Sequence, residues 1–452
     1  MITYQDLQAA GSEEKNRVQF IQSTIAAHKG SRAYGEAMEA AAYYDGENPT
    51  INRYEKLLYD LEGRAHQDMY TANHKLASHF FGFAVDQQIS YLLGNGVTFR
   101  QEQNKKRLGK GFDQQIMEAG KKALIAGVSY GFWNMDHLQI FELTEFVPLY
   151  DEESGALAAG IRFWQLDAGK PLHATLYEPD GYTDYMEEKG KPMAAAHPKR
   201  AYRQIVKTSK MDGAQVVGGE NYAGLPIIPL RNGEKAWPLL HGKRNTIDAL
   251  DLASSNMVNN VDEGNLIYWV LTNCGGMDDL DDVKFIERLK TMHVAHADGD
   301  DGATAVPHTI EAPYAGTEAT IDMLKRKLYE DFQAFDAAAV TAGNQTATAI
   351  KASYVPLDLK TDKFEAEVTH FIHGILALAE IDDEPTYTRN QIINKTEETQ
   401  TVLLGAPYYD DEYITKKLLT ILGDGDQAEE LLRRRAAEEI NRTAPPEVAV
   451  YE

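Results

Sequence analysis

The pentapeptide Gly127-Val128-Ser129-Tyr130-Gly131 matches the Gly-x-Ser-x-Gly pattern in which serine hydrolases present their nucleophile. That chemistry needs a buried strand running into a sharp turn, the serine hydroxyl at its apex, and a helix behind it. The context here is inverted. Residues 114–126 read as helix, and residues 132–147 read as strand with no helix start. A hydrolase using Ser129 is therefore an outlying alternative, and the chain is not expected to be an enzyme.

His293-Val294-Ala295-His296, followed by Asp298, Asp300 and Asp301, has the residue types of a metal cluster. Two histidines three apart share the face of a helix, but this stretch reads as strand and turn, which splays them. The aspartates do not complete a calcium loop, because the glycine is misplaced and no glutamate closes it. Asp298–Gly302 reads instead as a tight hairpin turn. His66, His74 and His79 fall within a predicted first long helix, too scattered to converge on one ion. No Gly-x-x-x-x-Gly-Lys-Ser/Thr sequence occurs, and no Gly-x-Gly-x-x-Gly follows a strand, so no nucleotide site is marked and no cofactor or metal is expected. Lys325, Arg326 and Lys327, then Lys360 and Lys363, are small basic groups on or beside helices. They read first as solvated helix faces and second as the lining of a passage for a polyanion.

Periodicity sets the elements around these groups. Between His66 and Leu93, residues Met69, Ala72, Leu76, Phe80, Ala84 and Tyr91 approximate one face of a long helix. Gly94-Asn95-Gly96 stops it through a left-handed glycine cap, Val97-Thr98-Phe99 reads as the next strand, and Phe112 to Ile125 as a second helix. From Val128 to Leu230 the runs Leu138–Val147, Gly160–Gln165, Leu172–Glu178, Ala201–Lys207 and Leu225–Leu230 alternate with turn residues, which predicts an antiparallel meander. Helical spacing returns over Arg244–Glu263 through Ile247, Leu250, Met257 and Val261. A small strand module, Leu266–Leu271 and Met292–Val294, follows, and Thr317–Phe335 carries Ile321, Leu324, Leu328, Phe332 and Phe335 in one stripe. The polar, small-residue segment Ala337–Thr348 leads into a long helical stretch ending near Ile381, which Pro356 should kink or interrupt. A charged helix, Gln427–Asn441, and a loose Pro-Pro tail complete the pattern.

A chain of 452 residues predicts two to four substructures. Acidic residues outnumber basic ones 69 to 45, a formal charge of −24, which argues against tight nucleic-acid binding over most of the surface. The single cysteine, Cys274, excludes an internal disulfide, and the N-terminal residues carry no basic-then-apolar signal pattern. The longest apolar stretches, Leu266–Leu271 and Phe371–Ala379, fall far short of a membrane span. The expectation is an intracellular soluble protein, or a component of something assembled inside a cell.

Several stretches, in order, resemble the portal proteins of tailed bacteriophages, in the branch common among long-tailed phages of Gram-positive hosts. Tyr43-Tyr44-Asp45-Gly46-Glu47-Asn48 is similar to the family's early Tyr-Tyr-x-Gly signature. Asn73-His74-Lys75, Val85-Asp86 and Ser90–Thr98 resemble its asparagine–lysine–valine–aspartate–tyrosine–glycine core, and Leu225–Asn232 resembles the strand closing the wing. Asn245–Asn260, with Ile247-Asp248-Ala249 and Ser255-Asn256, is similar to the first stem helix. Gly343–Lys351 stands where the family has Gly-Asn-x-Ser-Gly-x-Ala-Leu-Lys, with Thr346-Ala347 in place of the Ser-Gly pair.

The resemblance implies an α+β fold of portal architecture: a mixed α/β wing, a two-helix stem, a small α/β clip, a long kinked helix and an α-helical crown, assembled as a ring. It places the wing at 1–237, the first stem helix at 238–263, the clip at 264–312 and the second stem helix at 313–336. The tunnel loop falls at 337–348, the long kinked wing helix at 349–381 and the crown and tail at 382–452. The implied function is a dodecameric channel at one capsid vertex for DNA packaging and ejection, docking the terminase motor and the head–tail connector; another head–tail structural protein is the alternative. Implied partners are further copies of the chain, double-stranded DNA, the terminase large subunit, the connector or adaptor, and the major capsid and scaffolding proteins, with no membrane. The implied location is the virion, and the host cytoplasm during assembly. Implied tunnel-loop residues are Ala337, Thr341, Gly343, Asn344, Gln345, Thr346 and Thr348, with Lys325, Arg326 and Lys327 lining the stem. Asp278, Asp279, Asp281, Asp282, Asp298, Asp300 and Asp301 are the implied docking residues of the clip.

Overall fold

The computed structural model describes residues 2–435, apart from 60–61, 69–71, 188–190, 210–212, 265–266, 273–303, 310–313, 339–346, 391–394, 424, 426–427 and 429. The chain divides into two compact units: Met1–Ala334 with Lys360–Thr388, and Phe335–Leu359 with Arg389–Glu452.

The first unit opens with helices whose starts are written into the sequence. Thr3 begins α1 (Tyr4–Ala9) with a reciprocal capping box to Asp6. Helix α2 (Glu14–Lys29) follows, Ser31 caps α3 (Arg32–Tyr44), and Asn48 caps α4 (Pro49–Asn52), where proline fills the first turn. Strands β1 (Leu57–Tyr59) and β2 (Ala65–Gln67) pair antiparallel. The helix expected over 66–93 begins only at Phe80, as α5 (Phe80–Leu93), and residues 72–79 are not helical. The amides of His74, Leu76 and Ser78 bond instead to side chains nearly two hundred residues away, so a tertiary partner overrides the local period. His66 accordingly lies on β2, His74 in this non-helical segment and His79 at the N-cap of α5. The left-handed residue after α5 is Gly96 at φ +75°, while Gly94 stays right-handed.

Strand β3 (Val97–Phe99), α6 (Glu102–Arg107) and α7 (Phe112–Ala126) lead into the sheets. These are β4 (Val128–Asn134), β5 (His137–Glu142), β6 (Phe146–Tyr150), β7 (Leu157–Trp164), β8 (Leu172–Glu178), β9 (Gly181–Glu187), β10 (Ala194–Ala195), β11 (Arg203–Ser209), β12 (Gly213–Glu220) and β13 (Ile227–Arg231). All pair antiparallel, but they form three sheets, ordered β13-β4-β5, β10-β9-β8-β7-β6 and β11-β12. The single strand expected over 138–147 is two: a turn at Leu143-Thr144-Glu145 carries the chain from one sheet to the next.

Helix α8 (Arg244–Gly264), the antiparallel ribbon β14 (Ile267–Thr272) with β15 (Thr304–Thr309), and α9 (Tyr314–Phe332) form a helix–ribbon–helix series. Helix α9 stops at Phe332, short of the expected Phe335, where Gln333 turns left-handed at φ +48°. The strand expected at Met292–Val294 lies outside the described residues. Helix α10 (Ala347–Leu378) runs through Pro356, which therefore does not interrupt it; its missing N–H costs one helical bond. Strand β16 (Pro385–Tyr387) returns to pair with β3.

Two cores hold the first unit. In the larger, Phe81 and Leu92 of α5, Ile116 and Leu124 of α7, Tyr130 and Phe141 of the β4–β5 pair, Phe332 of α9, and Val368 and Phe371 of α10 are buried together. In the smaller, Leu7, Ile21 and Ile25 of α1 and α2 cover Leu149, Ile161 and Leu176 of the five-stranded sheet. Each such side chain contributes roughly 1.5–3 kcal/mol on burial. In the second unit, Phe335 stacks on Tyr354 at 4.0 Å between ring centres, and α11 (Lys395–Gly405) and α12 (Asp411–Leu422) are joined by a 3₁₀ turn. The charged helix expected at Gln427–Asn441 falls partly outside the described residues.

Gly127 ends α7 at φ +90°, and a Cβ there would sit 2.2 Å from the Ala236 carbonyl oxygen. Gly127→Ala is expected to destabilise the first unit by about 2 kcal/mol or more, combining left-handed strain with a backbone clash. A lower denaturant midpoint with an unchanged slope is the expected reading.

Candidate functional site

Helix α8 is the element around which side chains from distant segments converge. Its apolar side buries Ile247 and Leu250, while Val258 and Val261 further along are left open, at 36% and 46% exposure. Its polar side carries Asp248, Asp251, Ser255, Asn259 and Asp262. Asn259 Oδ1 accepts the His74 N–H at 2.7 Å, Ser255 Oγ the Leu76 N–H at 2.9 Å, and Asp251 Oδ1 the Ser78 N–H at 3.1 Å. Ser255 donates its own proton back to Asp251 O at 2.7 Å. The matching arithmetic is simple. Four helical residues rise about 6 Å, and two extended residues advance about 6.6 Å. Every fourth side chain of α8 therefore meets every second amide of an extended chain running antiparallel to it.

The buried end of this ladder is anchored on α4. Asn48 Oδ1 caps α4 through the Thr50 and Ile51 amides, while its Nδ2 donates to Asp248 Oδ1 at 3.0 Å and Asp251 Oδ2 at 2.8 Å. Asp248 also accepts from the Tyr43 hydroxyl and faces Arg244, which pairs with Glu39 at 2.7 Å. Burial pushes the Asp251 carboxyl up, opposed by the hydrogen bonds from Asn48 and Ser78. Burial also raises the Tyr43 hydroxyl, reinforced by its bond to Asp248. The open end is the pair His74 Nε2–Asp262 Oδ2 at 2.6 Å, with both side chains half exposed.

Helix α9 buries Ile321, Leu328 and Phe332, and two lysines gather at its end. Lys360 Nζ donates to Phe332 O at 2.8 Å, satisfying a terminal carbonyl and placing a cation at the negative end of the helix. Lys243 donates to Leu239 O and lies over the Phe332 ring. Burial, with the like charge of Lys243 behind it, brings the Lys360 ammonium down to about 7.

The implied site residues are only partly within the described chain. Lys325, Arg326 and Lys327 are exposed on α9, where consecutive positions lie about 100° apart, and Lys327 pairs with Asp331 at 2.9 Å. Ala337 is exposed, and Thr348 stands in the first turn of α10. Thr341, Gly343, Asn344, Gln345, Thr346, the seven clip aspartates and the His293–His296 pair lie outside the described residues. Ser129 does not sit on an elbow. It is fully buried within β4, between β5 and β13, and its Oγ donates to Ala119 O at 2.7 Å. Both glycines of that pattern are packing positions, since a Cβ on Gly131 would lie 2.5 Å from the Phe371 ring. Among the described residues, no three His, Cys, Asp or Glu side chains are grouped to hold a metal, and no helix is long and apolar enough to cross a membrane.

A family model described as "Phage portal protein, SPP1 Gp6-like" matches residues 24–440. The chain belongs to the phage portal protein family. Among curated portal proteins, it is 23% identical to that of Clostridium phage phiCD119 over 435 residues, covering 85% of this chain and 91% of the relative. It is 24% identical to the portal protein of Bacillus phage SPP1 over 399 residues, covering 81% and 77%. A solved neck of an empty GTA particle is 12% identical over 76% of this portal chain and 90% of its own, with a TM-score of 0.44. The residues that seat α8 in this portal protein, Asn48, Asp251, Ser255 and Asn259, were not marked as site residues by sequence. Asn48 falls within the early signature and the other three within the stretch 245–260 that resembles the first stem helix, but what they bond to becomes apparent only once the chain is folded.

A pH dependence follows from Lys360. Its folded-state value lies below the ordinary 10.5, so between about 7 and 10.5 the unfolded chain binds more protons and stability rises with pH. Lys360→Met is expected to flatten that rise, read as a smaller gain in denaturant midpoint between pH 7 and pH 9.

Proposed function

We propose that this chain is one subunit of a ring, of twelve copies, that forms the DNA channel at a single vertex of a phage head. The observation that carries the reading is the family match across 24–440. The helix–ribbon–helix order of α8, β14–β15 and α9, followed by the long α10, fits it. On this reading residues 1–237 are the wing, α8 and α9 the stem, 264–312 the clip, 337–348 the tunnel loop and 382–452 the crown. The clip, with Asp278, Asp279, Asp281, Asp282, Asp298, Asp300 and Asp301, would face first the terminase motor and then the head–tail connector. The open Val258 and Val261 on α8 and Met323 on α9, 57% exposed, suit a head-to-tail contact that closes into a ring.

The charge suits a conduit. At −24 per chain, most of the surface repels a DNA column, and few phosphates would gain salt-dependent affinity on passage. Short polar side chains at Thr341, Asn344, Gln345 and Thr346 would meet the backbone without committing charge.

Mass measurement and negative-stain imaging of the purified chain are expected to return closed rings; a stable monomer or dimer at high concentration would overturn the reading. Deleting Gly343–Thr346 is expected to leave rings intact while impairing DNA packaging or retention. Normal packaging by such rings would remove the loop assignment and leave the ring assignment standing.

A further inference from the structure

The ladder between α8 and the segment 72–79 reads backbone rather than side chains. Its three donors are the amides of His74, Leu76 and Ser78, and its three acceptors are side chains of Asn259, Ser255 and Asp251. The three acceptors are buried alike, Asn259 at 3%, Ser255 at 4% and Asp251 at 1%, but the strap over them is graded: His74 and Leu76 are exposed and Ser78 is half-buried. At one end Asp251 and Asn48 are each 1% exposed, Asn48 is bonded to both Asp248 and Asp251, and α4 holds Asn48 in place. At the other end the His74–Asp262 pair is half exposed, and the Leu76 side chain midway is 42% exposed. Asp251 holds Asn48 as well as the Ser78 amide, so opening at that end would leave more groups without partners than opening at Asn259. The half-exposed His74–Asp262 pair at the other end adds little, because solvent screens it. A chain held this way opens from its exposed end.

We propose that residues 72–79 are a releasable strap on α8: it peels from His74 toward Ser78 while the Asn48–Asp251 anchor stays closed. Asn259 and Ser255 are the positioning residues of the moving part, and Asp251 with Asn48 the fixed part. The strap sets the axial position of α8 against the N-terminal helices, because a slip by one rung toward the start of α8 would set the Ser78 amide against Ile247, which offers no acceptor. A helix advances about 40° per four residues, so a straight strap follows the strip for only about three rungs. The ladder is as long as that geometry allows. Resting on the channel reading above, release of the strap would free the part of α8 beyond Asp251 to swing as a stem while the Asn48 anchor and the core beneath it stay in place.

Amide hydrogen exchange on the purified full-length protein tests the device independently of the channel reading. The expected order is His74 fastest, Leu76 next and Ser78 slowest. Asn259→Leu should speed exchange at His74 and Leu76 at least tenfold and leave Ser78 within twofold. Leu76→Pro, which removes the middle N–H at a φ that an extended chain accepts, should speed exchange at His74, whereas Leu76→Ala should leave all three rungs protected. Exchange of all three amides at one rate, or equal effects of the proline and alanine variants, would overturn the strap. If the order holds, Asn259→Leu rings should retain packaged DNA less well. Unchanged retention with graded exchange would keep the strap and remove its link to the channel.

Discussion

The fold depends on one constraint: α8 must be held at a fixed height against a segment of chain that has no regular structure of its own. Backbone amides away from water need partners, and residues 72–79 find theirs in Asp251, Ser255 and Asn259. The same aspartate takes Asn48, and Asn48 in turn starts α4, so a single cluster ties three stretches separated by up to 203 residues. Losing Asp251 would leave the Ser78 N–H without its acceptor and the Asn48 Nδ2 with Asp248 alone. Buried polar clusters of this kind tolerate no partial satisfaction.

Around that constraint the larger core is packed by close approach of backbone to ring and branch. A Cβ on Gly131 would strike Phe371, and one on Gly374 would come within 2.9 Å of Ile228. Helix α10 can therefore lie against the β13–β4 pair because both surfaces are missing a side chain at the point of contact. The C-terminal part of α10 thereby joins α5, α7 and α9 in one core. That junction is where Lys360 satisfies the end of α9, and the energetic cost of a dehydrated ammonium is accepted to close a helix terminus.

Local pattern made much of this legible. The spacing of Ile321, Leu324, Leu328 and Phe332 foretold α9, the turn residues between β-branched runs foretold the sheets, and Gly-rich residues after Leu93 foretold the end of α5. What failed to show were the places where a distant partner decides. Met69 to Leu76 keeps a helical period, yet the amides of His74, Leu76 and Ser78 are claimed by α8, and no window of sequence contains that information. Residues 138–147 alternate well enough for one strand, but the change of sheet at Leu143–Glu145 depends on which neighbours each half finds. The serine pattern at Gly127–Gly131 misleads for the same reason, because glycine there answers to Ala236 and Phe371 and not to a nucleophile. Of the implied site, the tunnel-loop and clip residues follow from position in the family's order alone, because no local spacing of residue types marks them.

On the proposed channel reading, weak adhesion to DNA rests on placement as well as on count. Many of this chain's cations are committed at home. Arg17 pairs with Glu178, Lys105 with Asp113, Lys122 with both Glu118 and Glu142, and Arg244 with Glu39. Arg162 lies between the rings of Phe141 and Trp164. A phosphate approaching any of these would have to displace a carboxylate or an aromatic face, and an exposed ion pair is too weak a gain to repay the release of both partners. Net charge sets the long-range repulsion, screened beyond roughly 10 Å. Local pairing sets the short-range indifference. The two act over different distances, so on the proposed reading a polyanion passing these paired cations would be neither drawn in from afar nor held on contact.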